Sequence, residues 1–292
     1  MPSQTNNARV LVGISTYNRA DILPKAIESA LSQSYPSLKI AILDDASTDS
    51  TPFIAQKFPL INWERWESNR GYAPARNHLM LNSEADYYVS LDDDAWFLEG
   101  DEITLAVDIL ETNSDIAAVA FDILSPDRPT VVQRQPFVPA AMFIGCGHVL
   151  RLDAVRRLNG YATFPGNYGG EEKDLCLRLL DAGYQIVKLP GVHVWHDKTV
   201  LERDLKAQHR SGVCNDLTLT LRRTPIMLLP FAISWKLIRH LQFAVRARLV
   251  APCLEGMRKF LLASPAIWRS RQPVRLSTLR RYGRLTSGQH VR

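Results

Sequence analysis

Residues 87–97 read YYVSLDDDAWF, an apolar run of β-forming residues that ends in three consecutive aspartates and then two aromatic rings. Like charges this close repel, so the cluster costs stability unless a cation or a substrate group neutralises it. A buried strand that carries such groups to the surface fits an open α/β sheet, where ligands bind at the carboxyl ends of the strands. Two upstream runs have the same form. VLVGIS (10–15) ends in Ser15 and leads to Tyr17, and KIAILDD (39–45) ends in Asp44 and Asp45.

Helical patterns separate these runs. ILPKAIESALSQSY places Ile22, Ala26, Ile27, Ala30 and Leu31 on one face, with Asp21 as the expected N-cap. A short helix after ASTDST, a strand in INWERW and a helix in GYAPARNHLML complete the series up to DYYVSLDD. Strands alternating with helices predict a mostly parallel α/β sheet covered on both faces. Past residue 100 the order loosens. A helix near Glu102–Glu111 precedes a strand in AAVAFDIL, and mixed strands are expected from VVQRQPF to AMFIGCGHVL. LDAVRRLNG and GGEEKDLCLRLLDAG read as helices, and YQIVKLP and VHVWH as strands.

The 46% hydrophobic and 22% charged content is that of a folded soluble protein. Cys146, Cys176, Cys214 and Cys253 form no CxxC pair, which points away from a zinc cluster or a disulfide framework and fits a reducing cytoplasm. The segment MPSQTNNARV is polar and has no signal-peptide core. The longest uncharged stretches are Gln135–Leu150, broken by prolines and glycines, and Thr224–Trp235. Neither reaches the ~20 apolar residues of a membrane span. The net charge of +5 hides an asymmetry: residues 217–292 hold 15 Lys/Arg and one acid, Glu255, while residues 1–216 hold 20 basic and 29 acidic residues. An acidic body can hold a cation, and a basic tail can approach an anionic surface.

A dinucleotide site would show GxGxxG after the first strand, but no glycine follows Gly13 there, and no GxxxxGK[ST] loop occurs anywhere. A divalent cation on an Asp-x-Asp pair is then the expected way to bind a diphosphate. Asp92 and Asp94 share a face if the strand runs through them, with Asp93 on the other.

The blocks ILDDASTDST, NRGYAPARN, SLDDDAW, FIGCGHVLR and NGYATFPGNYGGEEKDLCLRLLDAGY, in this order, resemble family 2 glycosyltransferases of the GT-A fold over roughly residues 9–200. That resemblance implies a nucleoside-diphosphate sugar as donor, a divalent cation (Mg or Mn) and inverting transfer to a glycan or lipid-linked glycan, as in cell-surface polysaccharide synthesis. It implies that Ser15 and Tyr17 line the nucleotide. Asp45 would accept a hydrogen bond from a pyrimidine ring, with Asp44 as its rival. Arg76 would lie near the donor, and Asp93 is grouped with the donor-binding residues. Asp92 and Asp94 match the metal-binding pair, and His196 matches a late histidine of the metal or diphosphate shell, with His193 as the weaker rival. Trp96 and Trp195 either border the sugar or pack in the core.

Inversion requires a carboxylate that takes the acceptor's proton. The family pattern Glu-Asp-x-Asp-Leu becomes Glu171-Glu172-Lys173-Asp174-Leu175 here, so Glu172 falls at the base position, one methylene longer, with Glu171 as the alternative. Asp174 and Arg178, one turn apart, read as a local pair that fixes the helix.

These readings divide the chain into a catalytic domain, 1–216, and a basic helical extension, 217–292. In the extension Leu237, Leu241, Val245 and Leu249 recur once per turn, with Lys236, Arg239, His240 and Arg246 mostly on another side. That is the pattern of an amphipathic helix for an anionic membrane surface, and a helix packed on the body is the alternative. No RNA-binding module accompanies the charge, so no nucleic-acid partner is expected. The expected location is cytoplasmic, peripheral on the inner face of the cell membrane. Two rival functions are a polyprenyl-phosphate sugar synthase, which needs no base, and a degenerate nucleotide-sugar-binding assembly partner.

Overall fold

The computed structural model describes residues 8–198 and 204–289; the polar segment 1–7 lies outside the described residues. The first half follows the predicted alternation. It comprises β1 (Val10–Thr16), α1 (Leu23–Leu31), β2 (Leu38–Asp44), a 3₁₀ turn (Thr51–Lys57), β3 (Asn62–Arg65), α2 (Tyr72–Leu81) and β4 (Tyr87–Asp92). There follow β5 (Ala95–Phe97), α3 (Glu102–Thr112), β6 (Ile116–Leu124), β7 (Val138–Pro139), β8 (Gly147–Arg151), α4 (Leu152–Arg157), α5 (Glu171–Asp181) and β9 (Gln185–His196).

These strands form one mixed sheet in the order β3-β2-β1-β4-β8-β6-β9-β5, with β7 on β9. The β1–β2, β2–β3 and β1–β4 pairs are parallel, and β8 enters antiparallel to both β4 and β6. Side chains alternate across β1: Val10, Val12 and Ile14 enter one core layer with Leu23 and Ile27, while Leu11 joins Leu79 and Met80 in the other. A Cβ on Gly13 would come within 2.4 Å of the buried Tyr88 side chain, so this strand needs glycine there. Register sets Ser15 opposite Asp92 and Thr16 opposite Asp44, which brings the three chemistry-bearing strand ends to one edge.

Several expectations are corrected. β4 ends at Asp92, and Asp93–Asp94 form the turn into β5, so strand alternation does not govern the triplet. Asp21 does not cap α1; the N-cap is Ile22, without a side-chain hydrogen bond. The stretch from Val131 to Phe137 is irregular because β7 is only two residues long. YQIVKLP and VHVWH are one strand, β9, interrupted by a register shift against β6.

The extension is helical: α6 (Leu205–Arg223), α7 (Leu229–Ala247), α8 (Val250–Arg269) and α9 (Leu276–Gln289). The division at 216/217 falls inside α6. Leu217, Leu221, Leu229, Ala244, Cys253 and Phe260 build a separate apolar core for α6–α8. α9 returns to the body, where Tyr282 and Leu285 pack on the second sheet layer and Thr278 donates to Asp181 at 2.6 Å. On α7 the expected stripe divides: Leu237 packs on the α6–α8 core with Leu229 and Ala244, while Leu241 and Val245 are exposed. No helix among the described residues is long and apolar enough to cross a membrane.

Candidate active site

The strand ends open into a cleft of about 630 Å³. Ser15, Thr16, Tyr17 and Arg19 line it from β1 and the loop beyond, Asp45 from β2, and Asp92, Asp93 and Asp94 from β4 and its turn. Asn18 ties the first two walls together: its side-chain oxygen accepts from the backbone N–H of Thr48 at 2.7 Å. Asp45 accepts from the N–H groups of Arg70 and Gly71, both at 2.7 Å, and so fixes the approach to α2. Its rival Asp44 is fully buried, capping Ser47 and facing Arg65, away from the cleft.

Arg76 is the centre of the floor. It projects from α2, is buried, donates to Asp92, and sets Nη1 3.9 Å from Glu172 Oε1. Burial alone would lower its pKa, but Asp92, Tyr161 and Glu172 outweigh it and hold the guanidinium charged. Glu172 reaches the cleft from the first turn of α5, while Glu171 is buried beside it and does not line the cleft. Burial, and then repulsion from Glu171, push the Glu172 carboxyl up to about 8. Burial and the neighbouring Asp94 likewise raise Asp93, to about 7.

Two glycines with positive φ, Gly169 (+79°) and Gly170 (+106°), turn the chain into α5, a conformation that a side chain would oppose. Asn215 of α6 locks that turn, donating to the carbonyls of Gly166, Tyr168 and Gly169 and accepting from Gly166 N–H at 2.7 Å. Asp174, read as a partner of Arg178, also receives Arg223 at 2.6 Å, so a fully buried carboxylate joins α5 to α6.

The metal question turns on the far wall. His196 approaches Asp94 with Nε2 at 3.1 Å, and its Nδ1 is buried with no hydrogen-bond partner among the described residues. Ligand atoms of Asp92, Cys146 and His196 lie within 4.8 Å of one another. An imidazole with one free nitrogen, grouped with the Asp92 carboxylate and set against Asp94, is a mixed nitrogen and oxygen donor set, so the residues present suit a divalent cation. Burial keeps the Cys146 thiol protonated, and Asp92 adds to that. His193 points elsewhere, accepting from Val132 N–H at 3.2 Å. Trp96 and Trp195 stack on each other 6.2 Å apart outside the cleft, with Lys25 over Trp96.

Sequence reasoning did not single out Lys198, Arg210 or Lys259, basic residues of the same cleft. Lys198 had a signal, two residues past His196. Lys259 had none, because only the packing of α8 on α6 brings it there. Nor did the sequence reading single out His148, whose Nε2 meets the Tyr161 hydroxyl at 2.9 Å and whose Nδ1 meets Ile144 O at 2.8 Å, holding the Ile144–Gly147 turn under Arg76. Burial lowers its pKa to about 3, so it stays neutral.

The profile of glycosyl transferase family 2 matches residues 11–163, more than half of the chain. The chain belongs to that family. The profile described as the N-terminal domain of galactosyltransferase matches residues 132–200. Among relatives, a protein named putative glycosyltransferase EpsE from Bacillus subtilis is 29% identical over 191 residues, covering 60% of this chain and 67% of its own length. The putative teichuronic acid biosynthesis glycosyltransferase TuaG, also from Bacillus subtilis, is 38% identical over 31% of this chain and 38% of its own length. The match to glycosyltransferase GlyA of Streptococcus pneumoniae takes in only 16% of that protein. In fold, the chain superposes on the mannosyltransferase PcManGT of Pyrobaculum calidifontis, solved with GDP-Man and Mn2+, at a TM-score of 0.60 and 18% identity, over 100% of this chain and 82% of that one. It superposes on S. aureus TarS 1-349, solved with UDP-GlcNAc, at 0.57 and 14% identity, over 90% and 91% of the two chains. The family member thus has the expected GT-A fold, with helices added after the sheet.

Proposed function

We propose that this family 2 member transfers a sugar, with inversion, from a nucleoside diphosphate to a hydroxyl of a glycan or lipid-linked glycan in polysaccharide synthesis. The observation that carries this reading is the position of Glu172. It is a carboxylate with a raised pKa on the cleft floor, on the opposite side of Arg76 from the acidic cluster. A polyprenyl-phosphate acceptor would need no such base.

Ser15, Tyr17 and Asp45 bind the nucleoside, and Arg76, Arg19, Lys198 and Lys259 receive the diphosphate. Asp92, Asp94 and His196 hold the cation. When bound, the cation neutralises charge on the departing diphosphate. Glu172 accepts the proton of the acceptor hydroxyl as its oxygen attacks the anomeric carbon. A base near neutrality is well matched to that step. Arg76 keeps its charge throughout and steadies both the Asp92 side and the Glu172 side.

The protein also lies on an anionic membrane surface. Phe231, Trp235, Ile238 and Phe243 of α7 are exposed together with Arg239 and Arg246, and α8 adds exposed Leu261, Leu262 and Trp268 beside Arg258 and Arg269. Apolar and cationic groups mixed in this way suit an interface of lipid headgroups.

The test incubates the full chain with a panel of nucleoside-diphosphate sugars and an alkyl-linked saccharide acceptor, with manganese or with EDTA, and determines the anomer of the glycosidic product by NMR. Metal-dependent transfer with inverted configuration is expected. Retention of configuration, or full activity in EDTA, would overturn the mechanism.

A further inference from the structure

A second groove, of about 810 Å³, runs between α5, α6 and α7, and it meets the cleft at Tyr168, Gly169, Glu172 and Gln208. The two spaces differ in chemistry. Charged side chains line the cleft, whereas Met142, Leu205, Val213, Phe243 and Leu249 dominate the groove. Lys173, Asp216 and His240 also line it, with Asp216 neutralised by His240 at 3.0 Å and by Lys236 at 2.8 Å. His209 Nε2 is buried without a hydrogen-bond partner among the described residues, and its ring lies 5.3 Å from Phe243. The groove's outer end, at Ala247 and Leu249, adjoins exposed Val245, Val250 and Leu254, with exposed Arg246 and Arg248 on either side of Ala247.

We infer that this groove is the acceptor site, and that the acceptor is a lipid-linked saccharide. Its terminal sugar meets Glu172, and its apolar aglycone follows the groove past Phe243 to the α7–α8 corner. The inference rests on the reading of Glu172 as the base, because that reading decides which end of the groove receives the reacting hydroxyl. A water-soluble glycan buries little apolar surface against such walls, while an alkyl chain gains with every CH₂ it buries. Emergence at an apolar, arginine-flanked corner lets such an acceptor enter from the bilayer without crossing water.

Gly212 supplies the test. It lines the groove from mid-α6, and a Cβ added there meets nothing within 4 Å. Gly212→Leu therefore starts a side chain in open space at the groove and replaces a poor helix former with a good one. Decyl β-D-glucopyranoside below its micellar concentration, titrated into the full chain by calorimetry, is expected to bind saturably at one site, and glucose under the same conditions is not. Gly212→Leu should weaken decyl glucoside binding at least tenfold. Phe243→Ala, at a half-exposed position that the fold tolerates, should weaken it severalfold. Equal binding by Gly212→Leu and the parent, or binding that does not saturate, would overturn the inference. Because the readout is binding, a fully active Glu172→Gln would sink the catalytic reading instead and leave the groove's occupancy standing.

Discussion

Gly145 lies where an added methyl would test the site most sharply. A Cβ there would sit 2.5 Å from Glu172 Oε1, 2.9 Å from Arg76 Nη1 and 3.1 Å from Nη2. Ordinary carbon–oxygen contacts begin at about 3.3 Å, so Gly145→Ala displaces something by about 0.8 Å. Arg76 is buried and paired with Asp92, whereas Glu172 faces open cleft, so the carboxylate retreats. A misplacement of about 1 Å in a reacting group can cost about 10²-fold in rate, or ~2.7 kcal/mol of barrier. We expect kcat to fall by that order, with donor affinity by calorimetry changed less than threefold. The thermal midpoint should reflect no more than the ~1–3 kcal/mol typical of overpacking. Gly147→Ala is the control: its Cβ would meet Ile123 at 2.6 Å and Val194 at 3.3 Å in the core, so its cost falls on stability. Parent-like kcat in a folded Gly145→Ala would refute the placement of Glu172 as the reacting group.

Glu172→Gln should lower the transfer rate about 10²–10⁴-fold while donor and manganese affinity hold. The base works ionised and its pKa is raised, so the parent rate climbs with pH and levels above about 8; the variant should lose this limb in a pH–rate profile. Asp174→Ala strands the buried Arg178 and Arg223 without a counter-charge, and urea melts should register a loss of about 3–5 kcal/mol. Vesicle flotation should show binding to anionic but not neutral liposomes, weakened by salt because screening shortens the reach of the arginines. Salt-independent binding to both kinds of vesicle would remove the electrostatic part of the membrane reading.

The parallel half of the sheet was legible because β1, β2 and β4 carry continuous apolar runs and α1 has a clear helical period, both of which are local properties. What failed was non-local. Nothing in SLDDDAW marks where β4 stops, since the turn at Asp93–Asp94 is set by the pairing of Ala95–Phe97 with β9, about a hundred residues later. The site was legible as a set of residue types at strand ends and at the start of α5. Its wiring was not. Arg76 sits in a helix whose other residues are unremarkable, and only the fold brings it to Asp92 and Glu172 at once. On α7 the once-per-turn stripe splits between two surroundings, Leu237 packing with Leu229 and Ala244 and Leu241 and Val245 facing outward, a division that no local pattern announces.

The charge asymmetry drew a boundary at 216/217, and the structure gives that boundary a different meaning. Asn215 holds the glycine turn that aims α5, Arg223 shares the buried Asp174, and Lys259 of α8 borders the cleft. Removing the basic residues as a block would therefore take away a wall of the cleft and uncover Asp174. The acidic body and the basic helices differ in charge, yet they are joined mechanically at the first turn of α5, where Glu172 stands. Movement of α6 would be transmitted through Asn215 and Arg223 to Glu172 with little slack, because both joints are buried and fully hydrogen-bonded. Substitutions at Phe231, Trp235 and Ile238 on the exposed face of α7, which touch neither joint nor the groove, are the ones that would separate membrane affinity from catalysis.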